Sequence, residues 1–327
     1  MSGTHIVTAG LDGSPESLAA AAWAADEAAL RGARLRLVHV REWPVAPEIP
    51  AVYSEIQVQR SETLLRDVAA RARQLHPDLL VGSEGVVGRA ASVLIAETEG
   101  EQAVDLLVLG SRGLSGLVGF LAGSVGTAVT GSARRPVVLV RALRDEAPAG
   151  GARREEGRGA TAEAEAGAGP EAATAAGAEG GTEGGAEGGV VLGVDIFQPC
   201  DELLDFAFAE ARLRGCALRV VHCWSLPATY GYAAVIDPDI RTEIGRHVSA
   251  NLSAMLLPWR QRHPEVPVVE RAVLGAPGAH LVYAAAGADL LVIGRRRGRV
   301  PLAPHLGHVA HAVIHHAAAP VAVVPHE

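Results

Sequence analysis

The residues best suited to chemistry in this chain are glycines set at fixed intervals. Gly110-Ser111-Arg112-Gly113 is followed by nine residues and then by Gly123-Ser124. The block directly follows Asp105-Leu-Leu-Val-Leu109, an apolar run that reads as a fully buried strand. Glycine lets the backbone approach an oxyanion closely, and a helix opening at Ser124 offers unpaired N–H groups and the positive end of its dipole. Strand, glycine-spaced loop and helix start, in that order, are the layout of a phosphate cradle. The spacing recurs in altered form at Gly294 and Gly307, so it bears on the whole chain as well as on one loop.

Other candidate groups carry less. His308, His311 and His315 fall on one helical face, where imidazoles could share a metal ion. No nearby cysteine or carboxylate completes a ligand set and the spacing is not HExxH, so no metal site is expected. His39 and His222 lie inside strands and read as packed or hydrogen-bonded residues. Arg295-Arg-Arg297 reads as a solvated loop, and Cys216 and Cys223 as core residues. All 29 basic residues are arginine, which excludes a Walker lysine and a Schiff-base lysine together. No G-x-S-x-G elbow is present, and no general base stands out beside the glycine loop.

Composition sets the outer bounds. At 327 residues the chain has room for two domains of ordinary size. Aromatic residues make up only 4%, so the cores must be aliphatic. A net charge of −8 argues against a general nucleic-acid binder. Three cysteines without a CxxC pair read as reduced thiols of a cytosolic protein. The N-terminus runs straight into a strand with no signal-peptide core, and no apolar stretch is long enough to span a membrane; a cytoplasmic protein is expected.

The elements that position the glycines occur twice. Ile6-Val-Thr-Ala-Gly-Leu-Asp12 matches Val190-Val-Leu-Gly-Val-Asp195, and Leu35-Arg-Leu-Val-His39 matches Leu218-Arg-Val-Val-His222. Asp105-Leu-Leu-Val-Leu-Gly110 matches Asp289-Leu-Leu-Val-Ile-Gly294, and Arg135-Pro-Val-Val-Leu-Val140 matches Ala319-Pro-Val-Ala-Val-Val324. The offset stays at 183 or 184 throughout, which marks a duplication. Residues 1–142 and 189–327 are the two expected domains. Residues 143–188, rich in Ala, Gly and Glu, cannot bury enough apolar surface to offset chain entropy and read as a disordered linker.

In the first repeat, strands are expected near 5–10, 35–40, 79–87, 104–109 and 136–141. Ser14-Pro15 opens the first helix and Gly32 closes it; further helices are expected at 54–75, 89–100 and 124–133. Alternation of aliphatic strands with helices gives an α/β fold of two tandem five-stranded parallel sheets, Rossmann-like in layout. Ligands of such sheets bind beyond the strands' carboxyl ends, where Asp12, Val40 and Gly110 converge.

Gly110-x2-Gly113-x9-Gly123-Ser124 resembles the G-x2-G-x9-G-S/T pattern of the ATP-binding universal stress proteins. Val7…Asp12-Gly-Ser14, the Val38-His39-Val40 strand and the Pro136-Val-Val-Leu-Val strand agree with it, and the likeness covers both repeats. The resemblance implies an adenine-nucleotide-binding α/β fold related to the adenine nucleotide alpha hydrolases. It implies Asp12 near the ribose or a phosphate-bound Mg2+, and Val40 meeting adenine through its backbone. Gly110 and Gly113 would wrap the phosphates, while Gly123, Ser124 and Val125 present N–H groups; Ser124 and Thr127 add hydroxyls. Arg112 is a candidate counter-charge.

The second repeat departs from the pattern. Arg297 stands where Gly113 stands in the first, and His308 where Ser124 stands. That site is expected to be degenerate for ATP. The resemblance implies a non-catalytic, nucleotide-responsive stress protein whose repeats form an intramolecular pseudo-dimer; a homodimer is compatible. The open edge strands 136–141 and 320–324 are expected to pair antiparallel. A slow ATPase, a nucleotide-independent interaction module and an adenylating or phosphoryl-transferring enzyme remain as alternatives.

Overall fold

Aliphatic runs form the central strands, and the longer segments between them form helices, α1 the richest in alanine. In the computed structural model, which describes residues 5–42, 51–100, 103–111, 124–142, 188–198, 200–226, 238–297 and 306–327, the first repeat begins with β1 (Ile6–Leu11), α1 (Pro15–Arg31) and β2 (Arg34–Arg41). It continues with α2 (Ala51–Leu75), β3 (Val81–Val87), α3 (Ala90–Ala96), β4 (Leu106–Gly110), α4 (Ser124–Ser132) and β5 (Val137–Val140). The second repeat contains β6 (Val190–Val194), α5 (Asp201–Arg214), β7 (Leu218–Trp224), α6 (Pro238–Arg262) and β8 (Val268–Leu274). It ends with α7 (Pro277–Ala284), β9 (Leu290–Arg296), α8 (His308–His316) and β10 (Val321–His326).

Local chemistry sets the helix ends. The Ser14 side chain accepts from the Ser17 N–H, Pro15 sits in the first turn, and Gly32 closes α1 at φ 61, a left-handed conformation that suits glycine. In α5 the capping acceptor is a thiol: Cys200 Sγ accepts from the Leu203 N–H at 3.4 Å. Helix α3 stops at Ala96, short of the expected 100. There the Thr98 hydroxyl donates back to the Ile95 carbonyl at 2.7 Å, and Gly100 turns the chain at φ 80.

The strands form one sheet of ten in the order β3-β2-β1-β4-β5-β10-β9-β6-β7-β8. Pairing is parallel within each repeat. The repeats meet at β5 and β10, which pair antiparallel with Val321 opposite Leu139, Ala322 opposite Val138 and Val323 opposite Val137. This is the pairing expected from the sequence. It joins the two five-stranded sheets into a continuous one because each strand satisfies the other's open edge. Both repeats belong to a single compact unit, residues Met1–Leu143 with Glu187–Glu327. A second unit, Arg144–Ala186, lies outside the described residues, and with it all of the expected linker 143–188 except Gly188, whose N–H donates to the Gly287 carbonyl at 2.8 Å.

The central strands are buried on both faces of the sheet. Val7, Ala9, Leu11, Leu106, Val108, Val138 and Val140 share one core with the alanines of α1 and with Leu65, Ala69 and Ala72 of α2. Leu107, Leu109, Val137 and Leu139 share the other with Leu94 of α3 and Val129 of α4. Alternation of neighbouring residues between two cores is what a strand buried on both sides requires.

Candidate functional site

β1 and β4 are parallel neighbours, with Val7 opposite Leu106 and Ala9 opposite Val108. From β1 the chain proceeds outward to β2 and β3; from β4 it proceeds the other way to β5. The helices that follow the two strands lie on opposite faces of the sheet. A crevice opens at such a switch point, beyond the carboxyl ends of the strands. Asp12, just after β1, and Gly110, the last residue of β4, border it.

Asp12 is exposed and braces the start of α1. Its Oδ1 accepts from the Ser14 N–H at 2.9 Å and from the Ser14 hydroxyl at 2.5 Å. Its backbone N–H donates to Ser17 Oγ at 3.3 Å. The helix cap itself is Ser14, so Asp12 acts one step behind it and keeps its carboxylate at the crevice rim.

Gly110 is required by close packing. A Cβ at this position would come within 2.6 Å of the Glu16 carbonyl carbon and the Ser17 nitrogen. The tip of β4 therefore lies against the first turn of α1, and even a methyl group would force them apart. Ser111, which sequence reasoning passed over, follows directly. Its N–H donates to the Val140 carbonyl at 2.7 Å, so that donor is committed to the sheet. Its hydroxyl is buried with no hydrogen-bond partner among the described residues. The available signal was its place as the first intervening residue of the glycine pattern.

Val40 ends near the same rim, one strand over on β2, opposite Val86 of β3 and half-buried against the α3–α4 side of the core. Arg112, Gly113 and Gly123 lie outside the described residues. Ser124 is the first residue of α4, Val125 packs half-buried on the core, and Thr127 follows within the first turn. The first N–H groups of a helix have no partner within it, and the positive dipole end lies there too. Among the described residues, Asp12, Val40, Gly110, Ser124, Val125 and Thr127 are all brought to the carboxyl side of the sheet.

The neighbouring His39 is a supporting residue. Its Nδ1 lies 2.8 Å from Ser61 Oγ. Burial and the nearby Arg41 hold its imidazole below the ordinary histidine pKa, while Asp12 pulls the other way.

The second repeat keeps the frame and fills the rim. Asp195 Oδ1 accepts from the Phe197 N–H at 3.0 Å, the same turn as at Asp12. Beyond Gly294, however, pairing continues: Arg295 stands opposite Pro325 and Arg296 opposite His326. The Arg297 N–H donates to the His326 carbonyl at 2.6 Å. A Cβ on Gly294 would lie 2.8 Å from His326 Nε2, so an imidazole covers the backbone that a phosphate would approach. His308 begins α8 behind Gly307. His311 and His315 place their ring centroids 4.2 Å apart, and among the described residues no group of three metal-ligating side chains gathers.

One expectation is overturned. Arg295 is not part of a solvated loop: β9 continues through it, and its side chain is 8% exposed. Its Nη1 donates to the Gly131 carbonyl at 2.8 Å and its Nη2 to the Ala133 carbonyl. An extended strand turns alternate residues inward, and here the inward residue meets the carbonyl end of α4.

Two cavities, of about 480 and 430 Å³, lie at the other end of the sheet. The first is lined by His5, Arg31, Asp105, Glu210 and Arg212, beside the last turns of α1 and α5. Helix carboxyl ends carry the negative end of the dipole and disfavour phosphate. The helix dipoles therefore favour the crevice at Asp12 and Gly110, at the amino ends of α1 and α4, for an anionic ligand.

Comparison with known proteins agrees with this architecture. The profile of the universal stress protein family matches residues 3–141 and 189–325, one match for each repeat. A universal stress protein of Mycobacterium tuberculosis H37Rv is 31% identical over 329 residues, covering 98% of this chain and 96% of its own length. One from Mycolicibacterium smegmatis is 28% identical over 97% of this chain and 96% of its own. Among solved structures, a universal stress protein from Archaeoglobus fulgidus superposes with a TM-score of 0.62, at 16% identity and 98% coverage of both chains. At that identity the likeness concerns the fold.

Proposed function

The chain belongs to the universal stress protein family through both of its repeats, and from that premise we propose that the first repeat binds ATP and that the protein acts as a non-catalytic, nucleotide-responsive regulator in the cytoplasm. One observation carries the reading. The tip of β4 and the amino end of α4 open on the crevice where the strand order reverses, with the Asp12 carboxylate on its far side. No helix among the described residues is long and apolar enough to cross a membrane, which accords with a soluble role.

In this reading Gly110, Gly113 and Gly123 let the loop close on the phosphates, and Ser124 and Val125 donate N–H groups. The Ser124 and Thr127 hydroxyls add hydrogen bonds, and Arg112 adds charge. Val40 meets adenine through its backbone. The exposed Asp12 carboxylate, at the rim and already oriented by Ser14, suits Mg2+, a hard cation that takes oxygen ligands. Mg2+ would neutralise phosphate charge there. The intact and altered repeats, 1–142 and 189–327, would then divide the work between nucleotide binding and architecture, joined by 143–188.

Calorimetric titration of the full chain with ATP and Mg2+ tests this. One ATP per chain is expected, lost on combined Ser124→Ala and Gly123→Val substitution. Two sites would overturn the asymmetry between repeats. No heat at millimolar ATP would overturn nucleotide binding in favour of an interaction module, and rapid turnover dependent on a carboxylate would overturn the non-catalytic reading.

A further inference from the structure

Arg295 occupies in the second repeat the place that Ser111 occupies in the first, by the offset that carries Gly110 onto Gly294. It belongs to the altered copy of the glycine motif, yet its guanidinium is buried against the other repeat. The two carbonyls it binds, Gly131 and Ala133, end α4. Among the described residues Arg295 pairs with no carboxylate, and its Nε has no partner. A buried charge without a counter-ion is costly. Here the compensation comes from carbonyls that lack a partner in their own helix and from the negative end of the α4 dipole.

The other end of α4 is Ser124. The helix has nine residues and is thus only about 13 Å long. Helices this short are marginal without support from outside. A cation at the carboxyl end and an anion at the amino end act on the same dipole in the same sense. We propose that Arg295 is a positioning residue for the nucleotide site of the first repeat, so that the extended end of β9, which stands in the second repeat where the first has its glycine loop, clamps the helix whose amino end takes phosphate. This rests on the ATP reading given above. Holding one end of α4 removes part of the ordering cost that a ligand at the other end would otherwise meet.

The interface supplies its own control. Arg141, from the first repeat, donates through Nη2 to the Ile314 carbonyl at 3.0 Å and so clamps the last turn of α8. The bond is of the same kind and crosses the same boundary, but it serves a helix that opens on His308. Loosening the interface in general should follow from losing either arginine; loosening α4 should follow from losing Arg295 alone.

The full chain, as Arg295→Met, Arg295→Lys and Arg141→Met variants beside the wild type, is titrated with ATP and Mg2+, and amide hydrogen exchange across α4 is measured without nucleotide. Arg295→Met is expected to weaken ATP binding about five-fold or more. Arg295→Lys should recover most of that loss, and Arg141→Met should stay within about two-fold of wild type. The α4 amides should exchange faster in Arg295→Met alone. Equal weakening by the two methionine variants, or wild-type affinity and α4 protection in Arg295→Met, would overturn the clamp while leaving the nucleotide site in place. A wild-type chain that binds no ATP would overturn the site reading and the positioning role with it.

Discussion

Glu27 of α1 accepts a hydrogen bond from Arg214 of α5 at 2.5 Å, across 187 positions of the chain. The contact is reciprocated: Arg31 of α1 donates to Glu210 of α5. Each glutamate also holds the arginine one turn on in its own helix, Arg31 Nε to Glu27 at 2.6 Å and Arg214 to Glu210. The 183-residue offset of the duplication carries Glu27 onto Glu210 and Arg31 onto Arg214, so each repeat contributes the same half of a closed square. Glu27 and Glu210 are only 3% and 1% exposed. Removing one glutamate leaves two partly buried arginines short of a counter-charge. Glu210→Leu should therefore cost about 3–5 kcal/mol in urea unfolding. Replacing all four corners by leucine and methionine should restore stability to within about 1 kcal/mol of wild type. Losses that simply add from corner to corner would contradict the square.

Gly110 offers a local test of the crevice. A methyl group there would strike the backbone of Glu16 and Ser17 at 2.6 Å, and backbone cannot swing aside as a side chain does. Gly110→Ala should cost about 1–3 kcal/mol in stability and weaken ATP binding in the same variant. Gly126→Ala, whose nearest new contact is the Leu139 side chain at 4.0 Å, should leave stability within about 0.5 kcal/mol.

The fold was legible where the signal is local. Ser14, Pro15 and Gly32 bracket α1 as their chemistry dictates. The apolar edge segments of the two repeats pair antiparallel, since an open aliphatic edge has few other uses. The square was not legible. Glu27–Arg31 and Glu210–Arg214 look in sequence like ordinary neighbours on a solvated helix face, and only the meeting of repeats buries them. Arg295 misled for the same reason: three successive arginines suggest solvent, and the strand alternation that turns one inward depends on β10 continuing beside it. Of the candidate site, Asp12, Val40, Gly110, Ser124, Val125 and Thr127 gather on one side of the sheet, because motif and strand order come from the same chain segments.

The junction should outlast the covalent connection. Val138 and Ala322 face each other across β5 and β10 and are fully buried, and the ion-pair square lies close by between α1 and α5. A protease site inserted within 144–186 and then cut should release two halves that still co-elute on gel filtration. Adding Ala322→Glu, which places an unpaired charge at the junction, should cost more than about 3 kcal/mol and separate the halves after cleavage. Halves that part without that substitution would show that the connection, and not the sheet, holds the repeats together.

His315 makes stability depend on pH in a stated direction. The residue is 4% exposed, and among the described residues its Nδ1 has no hydrogen-bond partner. Burial, then His311, His316 and Arg141, hold its pKa below the ordinary histidine value. The unfolded chain thus takes up a proton before the folded one does. Its contribution to stability is complete above about pH 6.5 and is lost as pH falls below that value. Urea midpoints measured from pH 7.5 to pH 5 should decline for the wild type. The decline should be shallower in His315→Leu, which removes the titrating ring and leaves no buried polar atom unpaired. An unchanged slope in that variant would assign the pH dependence to other groups, His39 first among them, since burial and Arg41 depress it in the same sense.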